Sequence, residues 1–99
     1  MKRVNCLTAI VILCVWTSTA SAIDVPPPGA AACSGCHPAS RAVETPFTRL
    51  SGRNPAEVLT AIQEFRTGQR PGTVMDRIAK GFTDDEIKAI AAWYAAQKD

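Results

Sequence analysis

The chain has 99 residues, 46% of them hydrophobic and 20% charged, and this length admits a single domain. Its formal net charge is only +2, and no basic run is interleaved with aromatic residues, which excludes a typical nucleic-acid-binding protein. Four cysteines and one histidine are the side chains best suited to metal or redox chemistry.

The first 22 residues have the organisation of a secretory signal peptide. Lys2 and Arg3 precede an apolar stretch over 4–16, which is too short to span a bilayer comfortably. Ala20-Ser21-Ala22 then offers a cleavage site, so we predict a leader over 1–22 and no membrane span in the mature chain. A retained membrane anchor is the alternative. Without the two leader cations, nine basic residues balance nine acidic residues.

A proline-rich segment over 23–29 follows, and Pro26-Pro27-Pro28 predicts an extended lead-in. We expect residues 30–99 to form one all-α domain with three main helices and a short turn. Because alanine is the best helix former, Ala30-Ala31-Ala32 predicts a first helix from about Pro28 to Cys36.

The other two helices have clear start signals. Asn54 can cap a helix that Pro55 begins, and Gly68 is the expected left-handed stop. Thr83 and Glu86 form a capping box for the last helix, which we expect to end at about Ala96. A short helical turn over 76–80 is expected before it.

The motif Cys33-Ser34-Gly35-Cys36-His37 is the strongest indication of a cofactor in this sequence. Two thiols three positions apart, followed directly by an imidazole, match the pattern for covalent attachment of haem c. Each cysteine can form a thioether with a vinyl group of the porphyrin, and the histidine can bind the iron from one side. We therefore predict one covalent haem c, attached to Cys33 and Cys36, with His37 as an axial ligand.

Two other interpretations of the cysteine pair have less support. A structural zinc site takes four protein ligands, but the remaining cysteines, Cys6 and Cys14, lie in the predicted leader, and His37 is the only histidine. A thioredoxin-like dithiol requires a βαβ context, and the sequence contains no convincing strand.

Met75 is the only methionine besides the initiator, and it is the predicted second axial ligand. A thioether is a soft, neutral ligand, and it raises the reduction potential of haem iron relative to two histidines. Lys80 or an open sixth position are the alternatives. An open position would fit a small-gas sensor or a haem enzyme.

The predicted haem pocket draws on the loop after the motif and on the last helix. The loop over 38–49 has no regular periodicity, and we expect Phe47 and Leu50 to line the pocket. Ile90 and Tyr94 are expected to line it from the inner stripe of the last helix. A backbone carbonyl near Pro46 is the expected acceptor for the second ring nitrogen of His37.

The order of these parts resembles the small class I c-type cytochromes over essentially the whole mature chain. Two segments are similar to the cytochrome subunit of flavocytochrome c sulfide dehydrogenase, namely Phe65-Arg66-Thr67-Gly68-Gln69-Arg70 and residues 73–87. The resemblance implies a small class I cytochrome c fold, iron ligation by His37 and Met75, and a flavoprotein partner that oxidises sulfide. One difference is Pro38-Ala39-Ser40-Arg41, where relatives usually have a glycine-containing polar loop.

We therefore expect a periplasmic electron-transfer protein or dehydrogenase subunit that is not itself a catalyst. A free shuttle to a terminal oxidase and the haem subunit of a molybdenum sulfite dehydrogenase are alternative roles, and a haem-based gas sensor is a third. Several cations are candidates for docking a redox partner: Arg41, Arg49, Arg53, Arg70, Arg77 and Lys80.

Overall fold

The computed structural model describes residues 25–97, and these residues contain helices but no strand. The helices are α1 (Ala30–Cys33), α2 (Pro55–Thr67), α3 (Met75–Ile78) and α4 (Asp84–Ala95), with a 3-10 turn over Ala79–Gly81 directly after α3. The all-α prediction is therefore confirmed. The predicted leader, 1–22, lies outside the described residues. In the part of the chain that is described, no helix has the length and apolar character needed to cross a membrane.

The first helix is shorter than predicted. It ends at Cys33 instead of continuing to Cys36. The Ser34 hydroxyl donates to the Ala31 carbonyl at 2.7 Å, and Gly35, which costs helix stability, follows. The backbone then continues in tight turns, in which the amide of His37 still donates to the Cys33 carbonyl at 2.9 Å. The attachment motif therefore spans the end of α1 and the turns after it.

The second helix forms as predicted. The side chain of Asn54 accepts from the amide of Ala56 at 2.9 Å, and Pro55 occupies the first helical position. Gly68 ends the helix with a φ of 81°, a left-handed conformation that costs glycine no steric penalty. Ile62 is the buried residue of this helix, and Leu59 and Phe65 pack partly buried against the core.

The ring of Phe65 supports the segment between α2 and α3. The Arg70 guanidinium lies 5.6 Å from the centre of this ring. The backbone of Gly72 also approaches this ring, because a Cβ added at Gly72 would lie only 3.0 Å from Phe65 Cε1. Glycine therefore lets the backbone come this close to the ring, before the chain enters α3 at Met75, without any movement of Phe65.

The last helix supplies most of the core. Thr83 caps it by accepting from the Glu86 amide at 3.2 Å, as predicted. Its inner stripe is buried as expected and consists of Ile87, Ile90, Ala91 and Tyr94. The Tyr94 hydroxyl donates to the Ala30 carbonyl at 2.6 Å, and this bond joins α4 to α1.

The side chain of Arg66 links α2 to the segment before α4. It donates to the carbonyls of Ala79 and Phe82 at 3.3 and 2.8 Å, and it pairs with the Asp84 carboxylate at 2.7 Å. Arg66 lies four residues after Ile62, on the same face of the helix. A cation at that position needs acceptors nearby, and these three groups provide them.

Candidate functional site: the cysteine–histidine motif and its loop

The two motif cysteines have different surroundings. Cys33 is half-buried, packs against the hydrophobic core, and its thiol lies 3.6 Å from the Gly29 carbonyl. Burial raises the pKa of the Cys33 thiol above its ordinary value. A reactive dithiol needs a lowered thiol pKa, so this environment does not favour the thioredoxin-like alternative. Cys36 is exposed, and both thiols are free.

His37 has one ring nitrogen committed to the backbone. Its Nδ1 is hydrogen-bonded to the carbonyl of Thr48. Because a carbonyl can only accept, Nδ1 is the nitrogen that donates its proton in this bond, which leaves Nε2 as the nitrogen that can bind a metal. This is the arrangement of a metal-ligating histidine. We expected the acceptor near Pro46, and the structure places it two residues further on.

The loop after the motif is fixed by side chains that bind backbone groups. The Thr45 hydroxyl donates to the Cys36 carbonyl at 3.2 Å and accepts from the Phe47 amide at 3.1 Å. The Arg49 guanidinium donates to four carbonyls, those of Pro38, Ser40, Arg41 and Val43. Thr45, Thr48 and Arg49 therefore have structural roles that the sequence analysis missed. No sequence motif identifies these three residues, because each acts through a bond that involves a backbone carbonyl, and every residue has one.

The predicted pocket residues fall into two groups. Phe47 is 51% exposed, with its ring 5.9 Å from the ring of His37. Leu50 is half-buried against the core, and Ile90 and Tyr94 are core residues. Met75 begins α3 and packs partly buried against the same core. The structure thus places Cys33, Leu50 and Met75 around one apolar cluster, and it places His37 beside Phe47.

The donor set and its surroundings fit a haem. Two thiols, an imidazole with a free Nε2 and a thioether are the groups that attach and ligate haem c. Apolar side chains in the loop after the motif and beside Met75 remain partly exposed: Phe47 at 51%, Val74 at 55% and Ile78 at 40%. The indole Nε1 of Trp93 is buried without a hydrogen-bond partner in the described structure. A buried donor requires an acceptor, and haem carboxylates are acceptors.

Other possible sites are separate from this one. Within residues 25–97, no cluster of three or more His, Cys, Asp or Glu side chains is placed to hold a metal ion, so the zinc interpretation gains no further ligand there. An open groove of about 370 Å³ lies beside α2. None of the predicted haem residues lines it; its lining consists of Arg53, Ala56, Glu57, Thr60, Ala61 and Arg70.

Comparison with known proteins gives the family. The chain is 31% identical over 70 residues to cytochrome c-554(548) of Halomonas halodenitrificans, a match that covers 67% of this chain and 84% of that protein. The chain belongs to the c-type cytochromes. Members of this family carry haem c and transfer electrons.

Two further relatives have names that refer to sulfur compounds. The cytochrome subunit of sulfide dehydrogenase of Chlorobaculum tepidum is 37% identical over 62 residues, which cover 63% of this cytochrome and 56% of the relative. The thiosulfate dehydrogenase electron acceptor of Stutzerimonas stutzeri is 34% identical over 67 residues, which cover 64% and 31%. This cytochrome thus spans about half of the first relative and about a third of the second. No family model and no solved structure matches the chain.

Proposed function

We propose that this cytochrome is a monohaem one-electron carrier, with haem c attached through Cys33 and Cys36 and with His37 and Met75 as the iron ligands. The observation that carries the proposal is the hydrogen bond from His37 Nδ1 to the Thr48 carbonyl, which leaves Nε2 available to a metal. Family membership supports it independently. When bound, the haem would supply an iron that accepts and releases one electron.

The residues of this chain determine how that iron would behave. The bond to Thr48 orients the imidazole of His37 and raises its basicity as a ligand. Met75 starts a helix whose approach is fixed on Phe65, so its thioether is held on an ordered segment. Leu50, Ile90 and Tyr94 pack in or against the core, and in the proposed haem pocket they would exclude water. If His37 and Met75 both hold the iron, they would leave no open coordination position, which favours electron transfer over gas binding.

Replacement of Met75 by alanine tests the ligand set. The ferric wild-type protein should have the methionine-to-iron charge-transfer band, and M75A should lose it and bind carbon monoxide rapidly in the ferrous state at neutral pH. Lys80→Ala is the control, because Lys80 is the alternative ligand, and it should keep the band. Rapid carbon monoxide binding to the wild-type protein would instead support the sensor.

We further propose that the electron donor is a dehydrogenase of a reduced sulfur compound, with a flavoprotein sulfide dehydrogenase as the first candidate. The name of the Chlorobaculum tepidum relative supports this candidate. The name of the Stutzerimonas stutzeri relative supports a second candidate, a free electron acceptor of thiosulfate dehydrogenase. Stopped-flow reduction of the ferric protein separates them: sulfide with the flavoprotein should reduce it faster than thiosulfate with its dehydrogenase.

The proposed compartment is the periplasm, reached through the predicted leader over 1–22. Haem c is attached on the far side of the inner membrane, so the haem proposal and the leader prediction require the same compartment. The cytochrome relatives support the haem on which this proposal rests.

A further inference from the structure

The Arg49 side chain holds the loop that follows the haem motif. Its two terminal nitrogens each donate to two carbonyls, and the shortest of these four bonds reach Ser40 and Val43 at 2.5 Å. Arg49 is only partly exposed, and its guanidinium is enclosed by a turn of backbone. We call this arrangement, Arg49 with the carbonyls of Pro38, Ser40, Arg41 and Val43, the arginine clamp. It makes Arg49 a poor candidate for docking a partner, since all four N–H groups of its terminal nitrogens already donate within the loop.

The arginine clamp lies next to the hydrogen bond on His37. Thr48, whose carbonyl accepts from His37 Nδ1, directly precedes Arg49 in the chain. On the other side, Thr45 ties the same segment to the Cys36 carbonyl at 3.2 Å. The Thr48 carbonyl is therefore positioned between two attachments, one to the motif and one to the loop. No helix or strand of the described structure includes this segment.

We propose that Arg49 is a positioning residue that sets the electronic character of the proposed haem ligand His37. By fixing residues 38–43 against residues 45–49, the arginine clamp holds the Thr48 carbonyl on Nδ1. That hydrogen bond increases the basicity of the imidazole, and a more basic ligand favours ferric over ferrous iron. The inference rests on the proposed function, because it requires His37 to bind iron.

A simple charge effect is the competing explanation, and it has the opposite sign. A cation near the haem would favour the ferrous state, so its removal would lower the reduction potential. Loss of the arginine clamp should raise the potential, because the weakened hydrogen bond leaves His37 less basic. Arg49→Lys separates the two effects. It keeps the charge, but one ammonium cannot reproduce the forked geometry with which Arg49 reaches four carbonyls.

The test uses the holoprotein and two readouts, the reduction potential and the solvent exchange rate of the His37 Nδ1 proton in the ferrous state. We expect the His37 Nδ1 proton to exchange with solvent about tenfold faster in R49K and R49Q than in the wild type. Loss of a partner outside the ligand set changes metal affinity or activity on the same scale. We expect R49K to raise the potential by about 59 mV, which is a tenfold change in a one-electron equilibrium. R49Q should raise it less, because it also loses the charge.

Matched controls come from Arg53, an exposed arginine at the end of the same loop that is not part of the arginine clamp. R53K and R53Q should leave both readouts at their wild-type values. Wild-type exchange and potential in R49K would overturn the inference, and so would a fall in its potential. If R49Q fails to retain haem, R49K still decides. Failure of the proposed function can be distinguished from failure of this inference. If the proposed function is wrong, the wild-type protein itself will lack covalent haem or the methionine-to-iron charge-transfer band.

Discussion

Residues 25–53 and residues 54–97 are stabilised in different ways. The second region has three capped or closely packed helical segments, and it contributes six of the seven buried apolar residues of the described core. The first region contributes only Ala30, and beyond α1 its order depends on side chains bonded to backbone carbonyls. The region that carries the haem motif is thus the one with the least apolar core of its own.

This difference indicates where haem would matter most for folding. Three of the seven buried residues are alanines, so the described core removes little apolar surface from water. A chain of this size is marginally stable without a further element in its core. A covalent haem would join the loop-rich region to the helical region through Cys33, Cys36 and the two ligands.

The largest expected effect comes from removing the attachment residues. A Cys33→Ala, Cys36→Ala double variant should lose most of its helical circular dichroism, because neither region has enough core to fold alone. Ser34→Ala is the matched control inside the same motif, and it should retain both haem and helical signal. A double variant with the full helical signal would show that the helical region folds without haem.

A smaller effect is expected where the two regions meet. Tyr94 is 1% exposed, and its hydroxyl donates to the Ala30 carbonyl at 2.6 Å. Tyr94→Phe leaves that carbonyl without its partner, which should lower the free energy of unfolding by about 1–3 kcal/mol. Thr45→Val removes a hydroxyl from the exposed loop and should cost less than about 1 kcal/mol.

Denaturant unfolding of the two holoprotein variants measures this contrast. Equal losses of free energy would mean that the loop contacts stabilise the chain as much as the buried contact between α1 and α4. The arginine clamp would then be expected to contribute to global stability as well as to the position of Thr48.

The smallest effect is expected at the surface of the helical region. Hydrogen bonds from Arg66, and then from Gln63, hold the pKa of Asp84 below its ordinary value of 3.8. The stability from this pair is therefore complete above pH 3.8 and is lost as the pH falls through the lowered pKa. Asp84→Asn should melt lower than wild type at neutral pH, and the gap should close below pH 3.8.

The matched control for this prediction is Asp85→Asn in the same first turn of α4. The Asp85 carboxylate is 95% exposed and lies 3.6 Å from Lys88, so the variant should melt almost like wild type across the same pH range. A gap for Asp84→Asn that persists unchanged in acid would mean that the Arg66 pair is not its cause.

The same two regions differ in how well the sequence predicts them. The cap at Asn54, the stop at Gly68 and the cap at Thr83 are local signals, because each lies within a few residues of the group it satisfies. The buried stripe of α4 follows from helical periodicity. These features could be predicted because neighbouring residues determine them.

The loop around His37 could be predicted only in part. The motif itself identifies the chemistry, and the need of His37 for a carbonyl acceptor follows from it. That Thr48 supplies the acceptor depends on how the chain folds back over eleven residues. The four bonds of Arg49 depend in the same way on a loop with no periodicity. The early end of α1 was missed because alanine propensity outweighed Ser34 and Gly35 in the prediction.

The contact between Phe65 and Gly72 has a consequence for sequence variation. A Cβ at position 72 would lie 3.0 Å from the aromatic ring, and the Asp76 amide limits movement away from it at 3.4 Å. Alanine at position 72 therefore requires the ring of Phe65 to move by a few tenths of an ångström, and a smaller side chain at position 65 would relieve the contact. The two positions form one coupled unit, and substitutions there should be strongly non-additive. In design or recombination of this cytochrome, residues 65 and 72 are therefore best exchanged together.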